Sequence, residues 1–224
     1  MQLSHTPARC SASFDEPNLV VSAGLVPAVR LAEKVGLPDL AEQHVTAGSN
    51  AGAKVMSLVA GMAAGADSID DLDVLRGAGR VFTGVRAPST LGTFLRGFTF
   101  GHVRQLDAVA ARTLIGLATA APLLPGIETS CVIDIDDTVK GVYGPGKQGA
   151  EFGYTKIRGL NAQLATISTP QAAPVIAATR LRRGAAPSAH GAVRMLRDAI
   201  TTARRCGASG EILVRADSAY CSSA

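Results

Sequence analysis

The residues best suited to chemistry are three aspartates within a window of four positions. Asp134, Asp136 and Asp137 come at the end of an apolar, β-branched segment, Ser130–Ile135, whose pattern predicts a strand. Asp134 and Asp136 lie two positions apart, so we expect them on one face of that strand. Carboxylates that fold into a core are costly unless a cation or a metal ion compensates their charge. The cluster therefore predicts a functional site, although Asp137 and Thr138 would also suit the opening of a turn.

A further aspartate, Asp217, follows a second apolar segment, Glu211–Ala216. The intervening pattern His190–Arg205 predicts an amphipathic helix that could cross over between neighbouring parallel strands. On this topology Asp136 and Asp217 meet at the ends of adjacent strands, within reach of one metal ion. Two carboxylates suit a hard divalent ion, Mg²⁺ or Mn²⁺, and a third would allow two ions.

The elements that must position these residues change character near residue 128. Before it, apolar residues recur at helical spacing; after it, short β-branched segments and glycine-rich turns predict strands. We therefore predict an α+β chain, with an all-helical region (1–128) followed by a mixed domain (129–224) of order β-β-β-α-β. That order resembles the first half of a ribonuclease H-like domain. The expected helices are Val26–Val35, Leu37–Val45, Ala51–Ala64, Ile69–Arg76, one from Ser89 or Thr90 to Phe98, and His102–Leu117.

Composition limits the classes of function. The chain is 47% hydrophobic and 18% charged, which excludes a wholly disordered protein, and its 4% aromatic content argues against a base-stacking platform. Residues 1–128 hold ten basic and eleven acidic residues, whereas residues 129–224 hold twelve and seven. The basic excess favours a phosphate-bearing partner, although a solvated surface fits the charge equally well. No stretch suits a membrane span or a secretion signal, and the four cysteines are scattered, so we expect a cytoplasmic protein.

Longer motifs resemble a known family. CVIDIDDTVKGVYG, GAEFGYTKIRGLNAQLAT and ILVRADSAY resemble the DDE transposases of bacterial insertion sequences, in particular the group named insertion sequence 1380. PNLVVSAGLVPAVRLAEKVGLPDLAEQHV and APSTLGTFLR add to a likeness that covers nearly the whole chain. It implies a ribonuclease H-like catalytic core, a helical DNA-binding region, and metal-dependent cleavage and strand transfer at the double-stranded ends of a transposon. It also implies association with the bacterial nucleoid when the protein is bound to DNA, and a homodimer as a candidate assembly.

The resemblance also implies roles for single residues. Asp136 matches the first catalytic acid in an Asp-x-Thr motif, Asp134 matches the acidic position before it, and Asp217 matches the second catalytic acid. The third, a Glu, lies well downstream in the family, and these 224 residues supply none at the expected position. We therefore expect a truncated enzyme that is weakly active or inactive alone.

Several basic residues are expected to contact DNA. Two lie two positions apart on a predicted strand face, two follow the next strand, and two lie near the second helix of Asp67–Phe98, a segment that fits a helix–turn–helix as well as an ordinary helical bundle. These residues are Lys156, Arg158, Arg182, Arg183, Arg86 and Arg96.

Two other functions remain open on the sequence. The Asp134-x-Asp136 spacing also fits phosphatases of the haloacid dehalogenase type, with Asp134 as nucleophile and Asp136 as acid/base. That fold requires alternating strands and helices, whereas Gly141–Ser168 predicts turns and strands. A non-catalytic DNA-binding remnant or transposase inhibitor is the second alternative.

Overall fold

The computed structural model describes residues 22–77, 82 and 84–221. Within them, helices precede a five-stranded mixed sheet that one late helix interrupts in sequence. The α+β prediction and the change of structure near residue 128 are therefore confirmed. The predicted order β-β-β-α-β lacks one strand, because a two-residue segment that is too short to show a period pairs with the strand that follows it. The elements are α1 Val26–Lys34, α2 Leu37–His44, α3 Ala51–Ala63, α4 Asp73–Gly77, α5 Pro88–Arg96, α6 Phe100–Ala120, β1 Ser130–Gly141, β2 Glu151–Phe152, β3 Arg158–Thr169, β4 Ala172–Arg183, α7 Ala192–Arg205 and β5 Glu211–Ala216.

Two helices begin earlier than their apolar pattern predicts. α5 starts at Pro88 rather than after a Ser89 or Thr90 cap, because proline suits the first helical position. α6 starts at Phe100, since the Thr99 and His102 side chains cap its first turn reciprocally. None of the described helices is long and apolar enough to cross a membrane.

The sheet is built around β3. One edge of β3 pairs antiparallel with β1, and its other edge pairs with the short β2 and then with β4. β1 pairs in parallel with β5, which lies at the end of the strand order. α7 connects β4 to β5 and makes the parallel pairing possible, as its position in the sequence predicts.

The core lies between α7 and one face of the sheet. Met195, Ala199 and Ala203 of α7 are fully buried against alternate β1 residues that include Ile133 and Ile135. We call this side of the sheet the helix face, and the side with Val132, Asp134 and Asp136 the outer face; the outer-face residues of β1 are half-buried or exposed.

The helical region has its own apolar cluster, in which Leu37 and Ala41 of α2 pack with Val55 of α3 and Phe94 of α5. Leu114 near the end of α6 instead belongs to the core of the sheet. The division into domains 1–128 and 129–224 stays a prediction. The helix–turn–helix predicted within Asp67–Phe98 also stays a prediction, because residues 78–81 and 83 lie outside the described residues. Residues 17–21 of the N-terminal motif lie outside them too.

Candidate active site

Asp136 and Asp217 occupy equivalent positions on neighbouring strands. The parallel register of β1 and β5 ends with Ile135 beside Ala216, and each aspartate is the residue that follows in the chain. Both residues are exposed. The parallel, adjacent strands predicted from the sequence are confirmed. They bring the two aspartates to the same end of the β1–β5 ladder, which we call the Asp136–Asp217 edge.

Only one of the two strands ends there. β5 ends at Ala216, whereas β1 continues to Gly141 because β3 remains paired with it from Asp136–Leu164 to Gly141–Gly159. The prediction that β1 ends near Ile135 is therefore wrong. Asp136 is held inside a long antiparallel ladder, which fixes its backbone more firmly than a loop would.

Local hydrogen bonds orient both carboxylates. Asp217 accepts a hydrogen bond from the Ala219 backbone N–H at 3.0 Å and caps a short 3₁₀ turn, Ser218–Tyr220. Asp136 Oδ1 accepts from the Asp137 backbone N–H at 2.7 Å. Among the described residues neither carboxylate forms an ion pair. Both therefore keep oxygen atoms for another ligand.

Asp134 is in a different situation. On the outer face it lies opposite Arg215 of β5, whose Nε and Nη2 donate to its two carboxylate oxygens at 2.6 and 2.8 Å. The hydrogen bond and the charge of Asp134 raise the pKa of the Arg215 guanidinium. Because both oxygens of Asp134 accept hydrogen bonds from Arg215, the geometry gives no support to Asp134 as a nucleophile.

Asp137 points to the helix face and pairs with a buried arginine. Arg182 Nη2 donates to Asp137 Oδ2 at 2.8 Å, and the Arg182 side chain is only 5% exposed. Its Nε and Nη2 also donate to Asn161 Oδ1. Its Nη1 donates to three backbone carbonyls of the loop before α7, those of Pro187, Ser188 and His190. Arg182 thus links β1, β3, β4 and this loop directly behind Asp136.

A buried glutamine completes the layer behind the aspartates. Gln163, fully buried on β3, donates from Nε2 to the Ser188 carbonyl at 2.9 Å and to the Tyr220 hydroxyl at 3.4 Å. Burial raises the pKa of Tyr220, and the nearby charges of Asp137 and Asp136 act in the same direction. Gln163 therefore ties the turn after Asp217 to the sheet. Sequence reasoning missed this residue, although polar side chains alternating along an otherwise apolar strand were a signal for it.

The residues present suit a hard divalent cation. Asp136 and Asp217 offer exposed carboxylate oxygens, and Mg²⁺ is commonly held by one or two carboxylates together with water and substrate phosphates. The described residues contain no group of three or more His, Cys, Asp or Glu side chains arranged to hold a metal ion. The pair thus fits one ion with an incomplete protein coordination shell.

The basic residues singled out from the sequence are not equivalent. Lys156 lies in the turn before β3 with a positive φ of 56°, so it does not share a strand face with Arg158 as predicted. Arg158 donates to the carbonyls of Gly144 and Pro145. Arg182 is buried and fully engaged, and it is not available to a phosphate in this conformation, whereas the neighbouring Arg183 is 79% exposed.

The two arginines of the helical region that were expected to contact DNA, Arg86 and Arg96, lie near α5. The Arg86 backbone N–H donates to Ser57 Oγ at 3.1 Å, which ties the segment before α5 to α3. Arg96, near the end of α5, is exposed and donates to Thr93 Oγ1 at 3.3 Å. A role for either in DNA binding stays a prediction.

Comparison with known proteins identifies the family of this chain. Neither the curated proteins nor the solved structures include a match to this chain. The profile of one protein family, described as transposase DDE domain group 1, matches residues 5–224. With nearly its whole length matched, and with paired aspartates on adjacent strands of a mixed sheet, this chain belongs to the DDE transposase family.

Proposed function

We propose that this chain binds duplex DNA at the ends of a mobile element and supports metal-dependent cleavage and strand transfer of phosphodiester bonds. The observation that carries the proposal is the parallel register of β1 and β5, which brings Asp136 and Asp217 to one edge. Family membership supports a transposase-like function and a divalent metal ion. The sequence motifs further favour the insertion sequence 1380 group, Mg²⁺ or Mn²⁺ as the ion, and a homodimer as the assembly.

In this mechanism the protein supplies position and charge. Asp136 and Asp217 would hold the metal, which when bound lowers the pKa of water and offsets charge on the phosphate. The β1–β3 ladder fixes Asp136, and the Ala219 N–H orients the Asp217 carboxylate. Arg182 neutralises Asp137 on the opposite face, so the negative charge left at this edge belongs chiefly to the two proposed ligands.

Mn²⁺ titration followed by electron paramagnetic resonance tests the ligands directly. We expect Asp136→Asn and Asp217→Asn each to lower Mn²⁺ affinity at least about tenfold, since even residues that only support ligands have effects of this size. Glu211→Gln is the matched control, because it removes an exposed carboxylate at the opposite end of β5. Equal Mn²⁺ affinity in all four proteins would refute the proposed ligands.

A second candidate is DNA binding with little cleavage. It is favoured by the lack of a third carboxylate, among the described residues, in a metal-holding group with the pair. Nicking of supercoiled plasmid in Mn²⁺ separates the two functions. Duplex binding without nicking supports this second candidate. Nicking that Asp217→Asn abolishes supports the transposase and means that another acid completes the site.

A further inference from the structure

Arg215 lies on the outer face of the sheet, the side that carries Asp136. It pairs across the ladder with Asp134. Asp136 comes two residues after Asp134 on β1, and Asp217 comes two residues after Arg215, just beyond the end of β5. Because side chains two apart in a strand share a face, Asp134 and Asp136 lie on the outer face, and Arg215, which pairs with Asp134, lies there too. Two residues of extended chain separate Arg215 from Asp217, so their Cα atoms lie roughly 7 Å apart.

Asp134 orients the Arg215 guanidinium but leaves some of its N–H groups without a hydrogen bond. Asp134 engages Nε and Nη2 in two nearly parallel hydrogen bonds. Nη1 makes no hydrogen bond within the described part of the chain, and the Arg215 side chain is 62% exposed. An arginine held in this way offers its remaining N–H groups in a planar fork, the geometry that binds phosphate oxygens well.

Stability alone gives little reason for this pair. Exposed ion pairs contribute little to folding, because water screens them and two long side chains lose freedom. The same loss of freedom is useful at a binding site, because an arginine already fixed loses less entropy when its ligand arrives. A phosphodiester approaching Asp136 and Asp217 also meets two negative charges, which a neighbouring cation offsets.

We propose that Arg215 binds a phosphate of the DNA at the Asp136–Asp217 edge, and that Asp134 holds Arg215 in place rather than acting as a catalytic acid. This inference rests on the proposed function. It assigns a phosphodiester site to a residue that the sequence did not single out. It also explains why an acidic residue precedes Asp136 on the same face without competing for its metal ion.

The test compares Arg215→Gln with Arg30→Gln, which removes a similarly exposed arginine from a surface ion pair of α1. Binding of a fluorescein-labelled random-sequence duplex is measured by anisotropy over a range of salt concentrations, and Mn²⁺ affinity is measured separately. We expect Arg215→Gln to bind the duplex several-fold more weakly and to lower the slope of log K against log salt by about 0.9, the value for one phosphate contact. Arg30→Gln should leave both unchanged, and Mn²⁺ affinity should not fall in either.

Arg215→Lys adds a second comparison, because lysine keeps the charge but cannot form the fork. We expect it to retain the salt dependence and to recover only part of the affinity. If Arg215→Gln matches the unaltered protein in affinity and slope, the role of Arg215 is refuted while the proposed function stands. If the unaltered protein binds neither Mn²⁺ nor the duplex, both are refuted.

Discussion

Replacing Arg182 by methionine tests whether the buried network behind Asp136 holds this edge of the sheet together. Methionine keeps most of the apolar stem of the side chain and removes the guanidinium. The change leaves the Asp137 carboxylate, only 16% exposed, without its cation, and removes the guanidinium donor from Asn161 Oδ1 and from the His190 carbonyl. The carbonyls of Pro187 and Ser188 also lose a hydrogen bond from Arg182, but they keep those from the His190 N–H and from Gln163.

The expected cost follows from these lost partners. Removing one member of a buried ion pair typically costs about 3–5 kcal/mol, because the remaining charge stays buried and uncompensated. Each buried acceptor left unsatisfied adds to this cost. For a chain of this size, about 3 kcal/mol corresponds to a melting temperature lower by roughly 6–12 °C. Since the free energy of unfolding of a whole domain is only about 5–15 kcal/mol, Arg182→Met should lose a large part of the stability of the folded protein.

Urea unfolding followed by far-ultraviolet circular dichroism measures the effect. Arg183→Met is the matched control: Arg183 is the next residue of β4, it is 79% exposed, and its nearest carboxylate is Glu151 at 3.8 Å. We expect the control to change the free energy of unfolding by less than about 0.5 kcal/mol. If Arg182→Met lies within about 1 kcal/mol of the unaltered protein, the network does not have the structural role argued for it.

The network should also affect the proposed metal site. Asp137 donates its backbone N–H to Asp136 Oδ1, so a displaced Asp137 carries the Asp136 carboxylate with it. Under conditions where Arg182→Met remains folded, we expect its Mn²⁺ affinity to be lower than that of Arg183→Met. Equal affinities would mean that the β1–β3 ladder alone positions Asp136.

Three further outcomes are expected. Gly210→Ala should destabilise the protein by about 1–3 kcal/mol in urea unfolding, because its Cβ would overlap a backbone carbonyl beside the start of β5, whereas Gly146→Ala meets nothing within 4 Å and should be neutral. Burial raises the pKa of Asp107 above its ordinary value of 3.8, so between these two pKa values the folded protein binds more protons than the unfolded chain. The contribution of Asp107 to the free energy of unfolding should therefore become more favourable as the pH falls towards 3.8, and Asp107→Asn should remove this pH dependence. A thiol reagent should modify the exposed Cys221 quickly. Cys131 is buried, and burial raises the pKa of its thiol, so it should react only when the protein unfolds. Fast labelling of Cys131 would show that the core opens readily.

Local sequence was enough to predict the elements that have a self-contained signal. β5 has the predicted bounds, and α7 differs only at its start, because apolar alternation and a strongly amphipathic period need no knowledge of partners. The helix between β4 and β5 also implied the parallel pairing that brings Asp136 and Asp217 together, since parallel neighbours require a crossover.

Tertiary pairing decided the rest. The length of β1 beyond Ile135 depends on β3, because a polar stretch stays in a strand when its backbone groups find partners. Sequence could not distinguish the buried Arg182 from the exposed Arg183, since alternation along β4 sends one side chain to Asp137 and Asn161 and the other to solvent. Asp134 meets Arg215 across 81 positions of sequence, so its engagement by an arginine exists only once β1 and β5 pair. Residue types and spacing thus identified the acidic edge, whereas the strand register determined which of its aspartates remain free to bind a ligand.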